Sequence, residues 1–255
     1  MLRTYSAHDF PRPRLAAAKR GRTVSVVVPA RDEAPTVGRV VQVATALTDV
    51  VDEVIVVDDG SADDTAAVAA AAGARVLSKP GEGKGQAMRA GLDAANGDIV
   101  VFLDADLRQL GPGFVLGLLG PLLLHDDVAL VKAFYQRPLG GKVGEGGRVT
   151  ELVARPLLSL LFPELAAILQ PLGGEYASRR SVLERLHFEG GYSVDVALLI
   201  DVAEVHGVHS LAQVDLGTRV HRNRPLAELS YQAREVMEVV LERAGVMATP
   251  YRRLA

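Results

Sequence analysis

The chain has 255 residues, enough for one large α/β domain or two small ones. Its 49% hydrophobic and 23% charged residues, with 25 Gly and 13 Pro, sit near the globular average and exclude a disordered, collagen-like or coiled-coil protein. Zero cysteines exclude a disulfide scaffold and any thiol-ligated zinc or iron–sulfur centre, and a net charge of −3 gives no sign of a nucleic-acid binder, so small-molecule partners are expected.

Met1 to Arg22 carries six basic residues and one acidic, but Pro11 and Pro13 interrupt it and it lacks a continuous apolar stretch. It fails as a secretory signal and reads as the N-terminal arm of a cytoplasmic protein. Val24 to Pro29 (VSVVVP) is a β-branched run without alternation, the mark of a strand covered on both faces. The spacing predicts a helix over Thr36 to Leu47, and Val54 to Val57 then repeats the two-faced strand, completing a βαβ unit. A helix over Thr65 to Ala72, a strand over Ala74 to Ser78, a helix over Gln86 to Ala95 and a strand over Ile99 to Leu103 continue the alternation. A pattern this regular predicts a doubly wound, mostly parallel sheet.

Beyond residue 107 the pattern loosens. Helices are expected over Phe114 to Leu124, Val149 to Leu161, Arg180 to Leu186, Val194 to Val205 and Leu226 to Arg243, with strands over Leu130 to Tyr135 and Leu211 to Val214. Leu139 to Gly147 reads as a Gly-rich loop, and Gln170 to Tyr176 as a tight turn bearing one carboxylate. The longest apolar stretch, Phe114 to Leu124, is 11 residues with Pro121 inside it, short of the ~20 needed to cross a bilayer. There is no internal repeat and no polar linker, so one continuous domain is expected.

In open α/β sheets ligands bind beyond the carboxyl ends of the strands, and here those ends are acidic. The first predicted strand runs into Pro29-Ala30-Arg31-Asp32-Glu33, where a nucleotide dehydrogenase would carry G-x-G-x-x-G. The second ends in Asp58-Asp59-Gly60-Ser61 and the fourth in Asp104-Ala105-Asp106. Alternate residues past a strand end can direct two hard carboxylates at one divalent cation that also holds a diphosphate, although the same spacing also occurs in solvated turns. Gly81-Glu82-Gly83-Lys84-Gly85 precedes a helix and suits either a phosphate site or a turn; it is not a Walker A loop, because Ser78 and Gly85 stand where that motif needs Gly and Ser or Thr. Arg219-Val220-His221-Arg222-Asn223-Arg224 is a basic loop or an anion-handling segment, and Gly146 to Thr150 has the composition of an anion-binding helix start or a plain cap.

Taken in order, VSVVVPARDE, VIVVDDGSADDT, GEGKGQAM, VFLDADL, GGRVTELVARPLL, QPLGGEYA, GGYSVDVALLID and LGTRVHRNRPL resemble the glucosyl-3-phosphoglycerate synthases, retaining glycosyltransferases of the GT-A fold. The resemblance spans about residues 18–245. Its first, second and fourth motifs are shared by many GT-A enzymes, whereas GGRVTELVARP, QPLGGEYA and RVHRNRP are far more specific. It implies a GT-A, Rossmann-like α/β fold with a nucleotide-binding half over 23–107, an acceptor- and sugar-binding half over 108–245 and a tail over 246–255. It implies transfer of glucose from a nucleoside diphosphate glucose, usually UDP-glucose, to the 2-hydroxyl of 3-phosphoglycerate with Mg2+ or Mn2+, in a homodimer that engages neither nucleic acid nor membrane.

Carried over residue by residue, the resemblance gives Pro29, Ala30, Glu33, Lys84, Asp104 and Ala105 to the nucleotide sugar, with Asp59 near the uridine where relatives often have Ser. Asp106 becomes the direct metal ligand, with His221 a second. Gly147, Arg148, Thr150 and Asn223 grip the acceptor's anionic groups. Glu175 and Asp195 take glucose hydroxyls, and Arg219 faces the diphosphate. Three departures stand out: Ala34 replaces a second Glu, Asp195 is one methylene shorter than the usual Glu, and the chain ends at Ala255 short of the tail many members carry. The second touches the sugar site and leaves open a mannosyl-3-phosphoglycerate synthase using GDP-mannose. Other readings are a further GT-A transferase, a sugar nucleotidyltransferase, which would want a Gly-rich signature where PARDE stands, a polyprenyl-phosphate transferase, or a catalytically silent nucleotide-sugar binder, which would be expected to lack Asp104 or Asp106.

Overall fold

The structure is a computed structural model and describes residues 2–136, 147–218 and 226–246. The segment expected to be an N-terminal arm instead folds. Arg3–Ser6 is a strand (β1) and Arg12–Lys19 a helix (α1) opened by two prolines at its start, with Leu15 fully buried. A four-residue strand with one aromatic among polar residues is too short to register as a periodic signal, and only its partner strand reveals it.

The predicted alternation then follows: β2 (Val24–Ala30), α2 (Ala34–Thr45), β3 (Glu53–Asp59), α3 (Thr65–Ala71), β4 (Arg75–Lys79), α4 (Lys84–Ala94) and β5 (Ile99–Phe102). Next come α5 (Pro112–Leu124), β6 (Leu130–Gln136), a π-helical turn at Thr150–Ala154 running into α6 (Arg155–Leu161), β7 (Tyr176–Arg179), α7 (Arg180–Leu183), α8 (Val194–His206), β8 (Leu211–Thr218) and α9 (Leu226–Arg243). The helix expected over Val149 to Leu161 is thus part π-helix, with Pro156 at the second position of α6. β7 falls between the turn expected over Gln170 to Tyr176 and the helix expected from Arg180, too short a stretch to read as a strand in sequence.

The eight strands form one sheet in the order β1-β8-β6-β7-β5-β2-β3-β4, parallel except for β7, which runs antiparallel to both β5 and β6. The valine runs serve two cores at once. Val26 and Val28 of β2 face the layer built by α1, α2, α3 and α5, while Val27 faces the layer built by α4, α6, α8 and α9. Val101 of β5 likewise faces the first layer and Phe102 the second, so alternate side chains of one apolar run fill opposite cores. α5 is apolar around its whole circumference because the sheet, α1 and the 3-10 turn at Ala7–Asp9 enclose it. Among the described residues no helix is long and apolar enough to cross a membrane.

Candidate active site

Because β2, β3, β4 and β5 are parallel, their carboxyl ends meet at one edge. The reversed β7 brings its amino end to the same edge: Tyr176 pairs with Phe102 of β5 and with Lys132 of β6. Pro29, Ala30, Glu33, Asp59, Lys84, Asp104, Ala105, Asp106 and Glu175 all stand on these strand ends or the loops that leave them.

The first loop is tightly held. Asp32 adopts a left-handed backbone (φ 55) unusual for a side-chain-bearing residue. It persists because Asp32 N donates to Ser61 Oγ at 2.9 Å and Asp32 Oδ1 accepts from Ala62 N at 2.7 Å, tying the loop after β2 to the loop after β3. Glu33 N donates to Thr65 Oγ1 at 2.8 Å, and Glu33 Oε2 accepts from Thr36 Oγ1 at 2.7 Å. Asp59, expected beside the uridine, spends both oxygens on the main chain, accepting from Glu82 N and from Gly83 N at 2.9 Å each. Its work is to shape the loop that leads to Lys84.

Lys84 opens α4 and reaches into a cluster of charges. Its Nζ donates to Asp195 Oδ2 at 2.9 Å and lies 3.1 Å from Asp104 Oδ1. Burial opposes the ammonium, but the carboxylates of Asp104 and Asp195 outweigh it and hold the Lys84 pKa above the ordinary lysine range. Asp195, in the first turn of α8, is 3% exposed, and its Oδ1 has no hydrogen-bond partner among the described residues. Glu175 is fully buried and accepts from Tyr135 Oη at 2.8 Å.

Two glycines make this packing possible. A Cβ on Gly174 would lie 2.1 Å from Asp104 Oδ1 and 2.5 Å from Lys84 Nζ, and one on Gly85 would lie 1.7 Å from the Glu189 carbonyl oxygen. The Gly-Gly pair read as a bend is therefore the wall against which Asp104 and Lys84 rest.

Sequence reasoning missed Lys132 and Tyr135 of β6. Lys132 is 1% exposed, donates its Nζ to the Gly173 carbonyl and stands 4.6 Å over the Tyr176 ring. A lysine and a tyrosine inside an apolar strand are the signal that was there to find, since neither is placed in a core without a partner. Of the residues the resemblance gives to the acceptor, Gly147 is left-handed (φ 79) and its carbonyl accepts from Glu151 N at 3.0 Å, Thr150 is buried at the head of the π turn, and Arg148 is half-buried. Arg219, His221 and Asn223 lie outside the described residues.

Asp104 and Asp106 supply hard carboxylate oxygens, the donor chemistry that suits Mg2+ or Mn2+. Asp106 is half-buried just past β5. Among the described residues no three His, Asp or Glu side chains converge as a complete metal cage. The two carboxylates fit an ion whose remaining coordination positions are open to other oxygen donors, such as those of a diphosphate.

Residues 25–160 match the family model described as glycosyl transferase family 2. The chain is 53% identical over 248 residues to a glucosyl-3-phosphoglycerate synthase of Mycolicibacterium paratuberculosis, covering 91% of this chain and 75% of that protein. It is 47% identical to the Mycobacterium tuberculosis glucosyl-3-phosphoglycerate synthase crystallised with Mn2+, UDP-glucose and phosphoglyceric acid, with a TM-score of 0.89 over 97% of this chain and 89% of that one. The same enzyme crystallised with Mn2+, UDP and glucosyl-3-phosphoglycerate gives a TM-score of 0.90 at 47% identity over 98% and 90% of the two chains. It has also been crystallised with Mg2+ and UDP, giving 0.89 at the same identity over 97% and 88%.

Proposed function

The chain belongs to the glucosyl-3-phosphoglycerate synthases within glycosyl transferase family 2, and we propose that it transfers glucose from UDP-glucose to the 2-hydroxyl of 3-phosphoglycerate with retention at the anomeric carbon. The observation that carries this reading is the match, over nearly the whole chain, to a crystal structure holding both substrates together. The carboxyl-edge cluster supports it, because a half-buried lysine ammonium and the part-exposed carboxylates of Asp104 and Asp106, which can take a divalent cation, meet where a sugar diphosphate would bind.

On this reading Pro29, Ala30, Glu33 and Ala105 line the nucleotide, and Asp59 holds the loop that closes on it. Asp106 and His221 hold Mg2+ or Mn2+, which when bound neutralises the diphosphate charge. Arg219 and Lys84 stabilise the departing diphosphate electrostatically, Lys84 from its fixed place against Asp104. Glu175 and Asp195 accept hydrogen bonds from glucose hydroxyls, and Asp195 Oδ1, which has no hydrogen-bond partner among the described residues, is available to do so. Gly147, Arg148, Thr150 and Asn223 grip the acceptor's phosphate and carboxylate.

The acceptor 2-hydroxyl attacks the anomeric carbon on the face the diphosphate leaves, and its proton passes to the departing phosphate oxygen. No carboxylate is needed as nucleophile, and a covalent glucosyl-enzyme trapped on Glu175 or Asp195 would overturn that step. The chain acts as a single domain in a cytoplasmic homodimer.

The test is product formation by mass spectrometry from 3-phosphoglycerate and Mg2+, with UDP-glucose, ADP-glucose, GDP-glucose and GDP-mannose offered separately. A hexosylated phosphoglycerate from UDP-glucose, lost in Asp106→Ala, is the expected result. Reaction with GDP-mannose alone would replace the donor, and binding of UDP-glucose without product would remove the acceptor assignment at Arg148 and Thr150.

A further inference from the structure

Lys132 is the only fully buried basic side chain among the described residues. A lone ammonium is costly to bury, and a sheet that needed only stability would carry an apolar side chain at this position of β6. What Lys132 touches explains its presence. Its Nζ donates to the carbonyl of Gly173 and lies 4.6 Å over the ring of Tyr176, so it grips the chain on both sides of the dipeptide Gly174-Glu175. Those two residues bear on the site directly: Gly174 is the surface against which Asp104 and Lys84 lie, and Glu175 carries the carboxylate held by Tyr135. The main chain repeats the hold, with Ala133 N donating to the Glu175 carbonyl at 3.0 Å.

Resting on the reading above of a glucosyl donor site, we propose that Lys132 is its positioning residue: by joining the Gly173 carbonyl to the Tyr176 ring it fixes the turn that sets Glu175 and Asp104 against the donor sugar. It acts through that turn and does not itself touch substrate. The charged groups that act on it stand on four different segments. Asp195 of α8, Glu175 before β7 and Asp104 after β5 attract the ammonium, and Lys84 of α4 repels it. Burial is the largest influence and brings its pKa down to about 8. The cation is therefore held by its placement among those carboxylates.

Lys132→Met keeps the length and removes the cation, while Lys132→Arg keeps the cation and alters its shape. Three measurements on the full chain decide the matter: kcat and KM for UDP-glucose, the Kd of UDP alone, and hydrogen exchange of residues 170–176 against residues 80–83. Displacing the turn by about 1 Å predicts a kcat loss of roughly 100-fold in Lys132→Met. The Kd of UDP should stay within about twofold, exchange should quicken over 170–176 and remain unchanged over 80–83, and Lys132→Arg should recover at least about tenfold of the lost rate. Wild-type kcat and unchanged exchange in Lys132→Met would overturn the proposal. So would equal loss of UDP and UDP-glucose binding with faster exchange throughout, which is the mark of a merely structural lysine. If Lys132→Met does not fold, Lys132→Arg decides: slow exchange over 170–176 with measurable turnover supports the role, and wild-type stability without turnover contradicts it. A wild-type protein that makes no glucosylated product would remove the functional reading alone, because the exchange comparison still reports on the turn.

Discussion

Gly174→Ala tests the site where the geometry is most exacting. The added Cβ would lie 2.1 Å from Asp104 Oδ1, 2.7 Å from Asp104 Cγ and 2.5 Å from Lys84 Nζ. Ordinary contact lies near 3.5 Å, so the carboxylate oxygen must withdraw by roughly 1.4 Å and the ammonium by roughly 1 Å. All three atoms belong to side chains, so the fold can yield at a cost of about 1–3 kcal/mol. The ion pair of 3.1 Å between them cannot survive in place, and a displacement of this size in a catalytic constellation costs on the order of 100-fold in rate. Gly85→Ala is the contrasting control, because its Cβ would lie 1.7 Å from a backbone oxygen and the start of α4 would have to move, costing more than about 3 kcal/mol. Paired denaturant unfolding and glucosyl-transfer assays separate the two. Gly174→Ala with wild-type kcat would refute the argument that this glycine exists to seat Asp104 and Lys84.

Lys84→Met leaves Asp104 and Asp195 without their shared cation; an unfolding free energy lowered by about 3–5 kcal/mol is expected, together with loss of measurable turnover, and a stable, active variant would contradict it. Asp59→Asn can accept only one of the two main-chain hydrogen bonds from Glu82 and Gly83, which should cost about 1–2 kcal/mol and raise the UDP-glucose KM several-fold with little change in kcat. Lys132, held near a pKa of about 8 against 10.5 for an ordinary lysine, loses its proton in the folded state first. Between those two values the unfolded chain binds more protons, so the cost of burying the lysine falls as pH rises. The stability of wild type relative to Lys132→Met should therefore improve from pH 8 towards pH 10, and a difference independent of pH, or one moving the other way, would contradict the linkage.

The sequence carried the nucleotide half of the fold plainly, because β2, β3 and β5 are valine-rich runs closed by acidic residues, and β-branched runs of that length have few alternatives to a buried parallel strand. β1 and β7 were not legible. Each is four residues long, too short for its pattern to stand out, and shows as a strand only through the neighbours that pair with it. The missing β7 also concealed how Glu175 reaches the site, since only a reversed strand brings that carboxylate to the carboxyl edge. Of the candidate site residues, Asp104 and Lys84 stood out as the ends of a strand and a loop, but position alone left each open between a binding site and a turn, and only the resemblance chose between them. Asp59 was legible as a site residue, but its partners are main-chain amides from a loop 23 and 24 residues further on, which spacing cannot reveal. Lys132 and Tyr135 signalled buried polar partners inside an apolar strand, but they form no motif that names those partners, and the Gly173 carbonyl and the Tyr176 ring that Lys132 meets are visible only in the sheet.

The most direct measurement is the proton NMR spectrum of the product formed from UDP-glucose and 3-phosphoglycerate with Mg2+. The account predicts a single glucosyl group on the 2-hydroxyl, in the same anomeric configuration as the donor. No glucosylated phosphoglycerate from a protein that binds UDP-glucose, or a product with the anomeric configuration inverted, would contradict it.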